Sequence, residues 1–281
     1  MTVSIDEVQV AHQHSGDAGH IGARPLIRVA GLDKRYPVRQ GEPVQALSGV
    51  GFDLREGEFL SVVGPSGCGK STLLRIMAGL DRATRGEVLL NGEPVSGPRR
   101  DIGIVFQQPT LLPWRTVLDN VLLPAQMQRL DRAHALSRAR ELLDLVGLSG
   151  FSANYPFELS GGMQQRVAIC RALVCDPRIL LMDEPFGALD AMTREQMNVE
   201  LMRIQAEQKK TVVFITHSIP EAVFLGDRVM VMTARPGRVA MMAAIDLPKP
   251  RTLATMGSPA FAAQCNDIRL AFSGRAAAAE F

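Results

Sequence analysis

One nine-residue stretch limits what this chain can fold into more than any other. Gly64-Pro65-Ser66-Gly67-Cys68-Gly69-Lys70-Ser71-Thr72 fits G-x-x-x-x-G-K-[ST], running out of the apolar FLSVVG and into the apolar-periodic STLLRIMAGL. That order predicts a strand, a phosphate loop and a helix. Glycines let backbone N–H groups close around phosphates, and the helix N-terminus adds a favourable dipole for the same anions. Lys70 is placed to reach the β and γ phosphates, and the Ser71 hydroxyl to ligate Mg²⁺. At average residue frequencies such a match arises by chance in roughly one per cent of chains this long. A plain glycine-rich turn is therefore the weaker reading.

The rest of the chain supplies a matching frame. LIRVAGL, VGFDL, EVLLNG and DIGIVFQ read as strands, followed by a mostly helical stretch from about 109 to 175. Strand signals return in RILLMDEP and TVVFITHS, each followed by a helix, and end in DRVMVMT and VAMMAAIDL. Strands alternating with helices predict an α/β fold with a mainly parallel sheet. Residues 1–24 are polar and aperiodic and read as a flexible tail; His12, His14 and His20 lack acidic or thiol ligands at structured spacing and read as solvated. Residues 249–281 read as a peripheral helix and tail.

Composition narrows the classes. A hydrophobic fraction of 46% is ample for a core, and 31 Lys plus Arg against 29 Asp plus Glu give no electrostatic reason to expect nucleic acid. No apolar run approaches the ~20 residues that a membrane-spanning helix needs. The 4 cysteines, Cys68, Cys170, Cys175 and Cys265, have no paired metal spacing and read as reduced, mostly buried thiols.

Two further motifs carry chemistry. Ile179-Leu180-Leu181-Met182-Asp183-Glu184 is an apolar strand ending in adjacent carboxylates, and ligands gather at the carboxyl ends of parallel strands. Asp183 is thus placed to bind Mg²⁺ and Glu184 to polarise an attacking water. Leu159-Ser160-Gly161-Gly162-Met163-Gln164-Gln165-Arg166 is a capped helix start whose small residues would admit a phosphate. An ordinary capped helix is the bland alternative.

LSGGMQQR resembles the signature sequence of ABC-type ATPases, and the phosphate loop and ILLMDEP agree with that family over roughly Leu26 to Leu247. The resemblance implies a P-loop NTPase cassette at 25–248, with an N-terminal antiparallel β subdomain and a helical signature subdomain. It implies that Tyr36 stacks on adenine and that Gln107, rather than its neighbour Gln108, senses γ-phosphate and Mg²⁺. Gly187-Ala188-Leu189-Asp190 resembles the loop that crosses a dimer interface, and His217 the histidine that contacts γ-phosphate. ATP and Mg²⁺ are then the expected cofactors. Nucleotide contacts are assigned to Tyr36, Gly64 to Thr72 (Gly64, Pro65, Ser66, Gly67, Cys68, Gly69, Lys70, Ser71 and Thr72), and Ser160, Gly161 and Gly162. Catalytic roles fall to Lys70, Gln107, Glu184 and His217, and metal ligation to Ser71, Gln107 and Asp183.

In this family ATP lies between the phosphate loop of one cassette and the signature of another, so a homodimer is the default, with a heterodimer as the other option. QQPTLLPWRTVLDNV, PFGALDAMTRE and MTARPGRV resemble the importer branch serving nitrate, sulfonate, taurine and related solutes. That branch implies two membrane permease subunits, an extracytoplasmic solute-binding protein and a peripheral position on the cytoplasmic face of the inner membrane. Leu111, Leu112 and Trp114 are candidates for the permease dock, with packing inside the insert as the alternative. Phe157 stands where many relatives have His. The rival readings are a non-transport ABC ATPase, a P-loop kinase and a cassette that binds without hydrolysis; single motifs, the absence of sustained heptads, LSGGMQQR and an intact catalytic set count against them.

Overall fold

A computed structural model describes residues 25–39 and 41–276. The expected N-terminal tail and its three histidines lie outside the described residues. Two sheets organise the remainder. The larger runs β10-β9-β3-β8-β7-β6, the smaller β2-β1-β4-β5. In the larger sheet β3 (Phe59–Val63), β6 (Ile102–Val105), β7 (Ile179–Asp183), β8 (Thr211–Ile215) and β9 (Arg228–Met232) are parallel, and β10 (Val239–Ala244) returns antiparallel on β9. In the smaller sheet β1 (Ile27–Tyr36), β2 (Val44–Leu54), β4 (Arg85–Leu90) and β5 (Glu93–Pro94) are antiparallel.

The parallel sheet divides the interior. β3, β7 and β8 are buried along their whole length, as strands covered on both faces must be. Because side chains alternate across a strand, Phe59, Leu180, Met182, Val212 and Phe214 join one core. Leu60, Val62, Leu181, Val213 and Ile215 join the other, with β1, β2 and α1 (Lys70–Met77). Each such side chain contributes about 1.5–3 kcal/mol by leaving water. Phe214 packs at 5.8 Å from Phe59 and 5.5 Å from Phe186, both rings tilted, which locks the centre of the first core.

Three helices, α2 (Val117–Gln128), α3 (Arg132–Leu145) and α4 (Gly161–Leu173), form the insert between β6 and β7. Thr116, Asp131 and Ser160 cap them through their side chains, each satisfying an otherwise orphaned backbone N–H. Fully buried Asn120 accepts from Leu112 N and donates to the Leu112, Arg115 and Thr116 carbonyls. It fixes residues 112–116 and so presents Trp114, which is 71% exposed. Packing inside the insert therefore does not account for this tryptophan.

α5 (Ala191–Gln208) connects β7 to β8, and α6 (Ile219–Leu225) follows β8. The C-terminal part differs from one peripheral helix. It forms α7 (Leu253–Met256) and α8 (Pro259–Ala276), and Phe261, Cys265 and Ile268 of α8 are buried in the first core. Buried Arg251 donates to the carbonyls of Val223, Phe224, Gly226 and Leu247, capping the end of α6. Burial lowers its pKa, opposed by the charge of Asp227. The thiols follow expectation: Cys68, Cys170 and Cys265 are buried and Cys175 half-buried, none in a disulfide. Burial pushes the Cys170 thiol up to about 12, which makes it inert as a nucleophile.

Candidate functional site

Parallel pairing puts the carboxyl ends of β3, β8, β7 and β6 side by side on one edge of the sheet. The segments that follow them are the phosphate loop, His217, Glu184 and Gln107. Residues far apart in the chain thus meet because four strands run the same way. Backbone bonds fix the levels, with Glu184 N donating to Ile215 O at 2.9 Å and Thr216 N to Val62 O at 3.1 Å.

The phosphate loop is braced within the chain. Lys70 is buried, and its ammonium donates to the carbonyls of Gly64 at 2.7 Å and Pro65 at 3.1 Å. Gly69 caps α1 with φ +93°, and a Cβ there would lie 2.6 Å from Leu47 Cδ2 and 2.8 Å from Ala46 O. Only glycine fits where β2 passes so close. No side chain caps α1, so its first amides stay available to an anion. Gly237, bridged to the same stretch of β2, donates to Ala46 O, and a Cβ on it would lie 2.0 Å from Cys68 O. Arg235, on the same turn, reaches Gly67 O at 3.4 Å. A cavity of about 280 Å³ opens between Ala46, Ser66, Gly67, Gly69 to Thr72, Gln107 and Glu184.

Tyr36 ends β1 beside this cavity. Its hydroxyl donates to Asp81 at 2.8 Å, and Lys34 both pairs with Asp81 at 2.6 Å and lies 4.7 Å from the Tyr36 ring centre. Burial pushes the Asp81 carboxyl upward, but hydrogen bonds from Lys34, Tyr36 and Arg82 N outweigh it and hold the group below its ordinary range. The ring is thereby fixed in orientation. Asp81 carries no motif, and nothing in its sequence neighbourhood marks it as the anchor of Tyr36.

The two carboxylates differ. Asp183 is buried, and burial raises its pKa while a hydrogen bond from the Ser71 hydroxyl offsets part of the effect. Glu184 is half-buried and takes φ +47°, a left-handed conformation that is uncommon for a non-glycine residue and stores strain at this position. Its Oε2 accepts from Gln107 Nε2 at 3.3 Å and lies 3.4 Å from His217 Nδ1. Gln107, Glu184 and His217 therefore converge, whereas Gln108 makes no such contact among the hydrogen bonds described. Ser71, Gln107 and Asp183 offer a hydroxyl, an amide carbonyl and a carboxylate, an all-oxygen donor set that suits a hard divalent cation.

The signature helix stands apart from this group. Ser160 caps α4 through a 3.3 Å bond from Met163 N, and Ser160 and Gly161 are exposed. A Cβ on Gly161 would meet nothing within 4 Å, so packing inside the chain does not require glycine there. Gly162 instead backs onto Leu189 and Ala188. Deeper in α4, Gln165 donates to Phe106 O, and Arg171 to the Pro109 and Thr110 carbonyls. These bonds tie the signature helix to the segment carrying Gln107, a link that motif reading did not find.

Comparison with known proteins agrees with this geometry. Residues 47–187 match the family model described as ABC transporter. The chain is 53% identical to an uncharacterised ABC transporter ATP-binding protein of Methanocaldococcus jannaschii, over 80% of this chain and 84% of that one. It is 49% identical to a taurine import ATP-binding protein of Rhizobium johnstonii, over 87% and 95%. A solved dimeric ATP-binding cassette, in a post-hydrolysis state bound to ADP and Pi, superposes with a TM-score of 0.73 at 37% identity, over 79% of this chain and all of that one.

Proposed function

This chain belongs to the ABC transporter family as one of its ATP-binding cassettes, and from that premise we propose that it powers import of a small solute of the nitrate, sulfonate or taurine kind. The observation that carries the reading is the division of its site. The phosphate loop and its carboxylates are braced inside the chain, while Ser160 and Gly161 present an uncovered helix start. The exposure of Gly187, Ala188 and Asp190 beside the catalytic edge supports a second cassette meeting this one there.

In this reading Tyr36 stacks on the adenine, the loop from Gly64 to Thr72 wraps the phosphates, and Lys70 trades its Gly64 and Pro65 carbonyls for β- and γ-phosphate oxygens. The N-terminus of a second copy's signature helix, Ser160 to Gly162, closes on the same γ-phosphate. Glu184 accepts a hydrogen bond from the attacking water and polarises it toward phosphorus, and His217 holds both Glu184 and the γ-phosphate. Gln107 stands on the water side of the same carboxylate. Ser71, Gln107 and Asp183 would hold Mg²⁺, which supplies neutralisation of phosphate charge when bound.

None of the helices among the described residues is long and apolar enough to cross a membrane. We place the cassette pair against the cytoplasmic ends of two permease subunits, with a solute-binding protein outside. The taurine import relative supports a sulfonate-type solute; the solute itself contacts other subunits. The test is ATPase activity of the purified chain with and without membranes carrying its candidate permease, beside Glu184→Gln. Turnover that needs Glu184 and rises with the permease is expected. Glu184-dependent turnover indifferent to the permease would return the reading to a soluble ABC ATPase.

A further inference from the structure

His217 is held by more than its contact with Glu184. The residue before it, Thr216, is buried and donates its hydroxyl to Glu221 Oε2 at 2.5 Å, while accepting from Ser218 N at 3.0 Å. Glu221 sits in the first turn of α6 and is itself buried. Its other oxygen, Oε1, lies 3.5 Å from Arg194 Nε. Arg194, in the first turn of α5, donates from the far end of its guanidinium to Leu189 O at 3.0 Å. Leu189 belongs to the loop resembling the interface-crossing loop, and Gly187 N of that loop donates to Glu184 O at 3.1 Å. The contacts close a ring from Glu184 through Leu189, Arg194, Glu221 and Thr216 to His217, and back to Glu184.

One link in the ring stands open. Arg194 Nε is buried without a hydrogen-bond partner, and at 3.5 Å from Glu221 it is beyond ordinary N–H···O length. An uncompensated buried donor beside a buried carboxylate is costly. A small shift of the crossing loop, carried by the Leu189 carbonyl, would close the link and draw Glu221 and Thr216 with it. Burial raises the Glu221 pKa, against the Thr216 hydrogen bond and the Arg194 charge, so the carboxylate gains from that closure.

We propose that Arg194 and Glu221 are positioning residues that couple the crossing loop to His217, so that pairing of two cassettes aims the histidine at the γ-phosphate. This rests on the ATPase reading above. Neither residue touches the nucleotide cavity; both act through the loop and the strand end they join. The bistable element is the link between buried Glu221 and half-buried Arg194.

The experiment measures kcat and KM for ATP in the full chain carrying Arg194→Ala, Glu221→Gln or both, with Thr216→Val as a near-isosteric probe of the other end. Each single change is expected to lower kcat about tenfold while KM stays within about twofold, and the double mutant to fall no further than the worse single. Melting temperature and ATP-driven pairing in a Glu184→Gln background should persist. Unchanged kcat in Thr216→Val and Arg194→Ala would overturn the proposal, as would single losses that multiply in the double mutant. Should Arg194→Ala fail to fold, Thr216→Val and Glu221→Gln decide alone. Wild-type chain without ATPase activity, or Glu184→Gln turning over normally, would instead sink the parent reading.

Discussion

The phosphate loop and the signature helix start both offer backbone amides at a helix N-terminus, yet they are built in opposite ways. Away from its cavity the loop is braced by the chain: β2 presses on Gly69, the 233–238 turn on Cys68, and Lys70 bonds two loop carbonyls. Around the signature nothing on the chain approaches Gly161. A glycine that packing demands and one that packing ignores teach different things. The first is explained by this molecule, the second only by something that comes to it.

That contrast can be broken most forcefully at Ser160. Ser160→Arg removes the side-chain cap of α4, so it should cost about 1 kcal/mol, a few degrees of melting temperature, and leave the chain folded. Hydrolysis should nevertheless fall about a hundredfold or more, because the second copy's phosphates can no longer approach the amides. Calorimetry beside a phosphate-release assay reads both. A loss of stability well beyond that of the cap would mean that the signature is packed within the chain after all.

Gly69→Ala tests the other half. Its positive φ and the crowding by Ala46 and Leu47 should cost about 2 kcal/mol or more of folding free energy, and ATP affinity should fall with it. Denaturant unfolding with and without ATP checks this, and a stable, ATP-competent variant would remove the argument for a braced loop.

The smallest effect on the isolated chain is expected at Trp114. Exposed as it is, Trp114→Ala should change stability by no more than about 0.5 kcal/mol. Stimulation by permease-containing membranes should drop while basal ATPase activity stays. Lost stability with intact stimulation would move Trp114 from the dock back into the packing of the insert.

The same division explains what could be read from the sequence. Strand, loop and helix around Lys70, and the strand ending at Asp183, are local patterns whose period and punctuation survive in one dimension. Gln107 and His217, singled out only through the family resemblance, meet Glu184 because parallel strands bring their ends together. Asp81 on Tyr36, Gln165 on Phe106, and Arg194 on Glu221 were not legible, since each is a long-range bond between residue types common on any surface. The left-handed backbone of Glu184 had no signal either, because glutamate gives no hint of positive φ. The burial of α8 went unread although Phe261, Cys265, Ile268 and Phe272 recur at helical spacing: exposed Leu270 blurs the apolar face, and its packing on α6 shows which side is covered.

The most direct test of the shared site is the solution mass of the Glu184→Gln chain in saturating ATP and Mg²⁺. The account predicts a doubling from one chain to two, reversed when Ser160→Arg is added although ATP still binds to each chain. A mass that ignores ATP, or a pair that persists with Ser160→Arg, would contradict it.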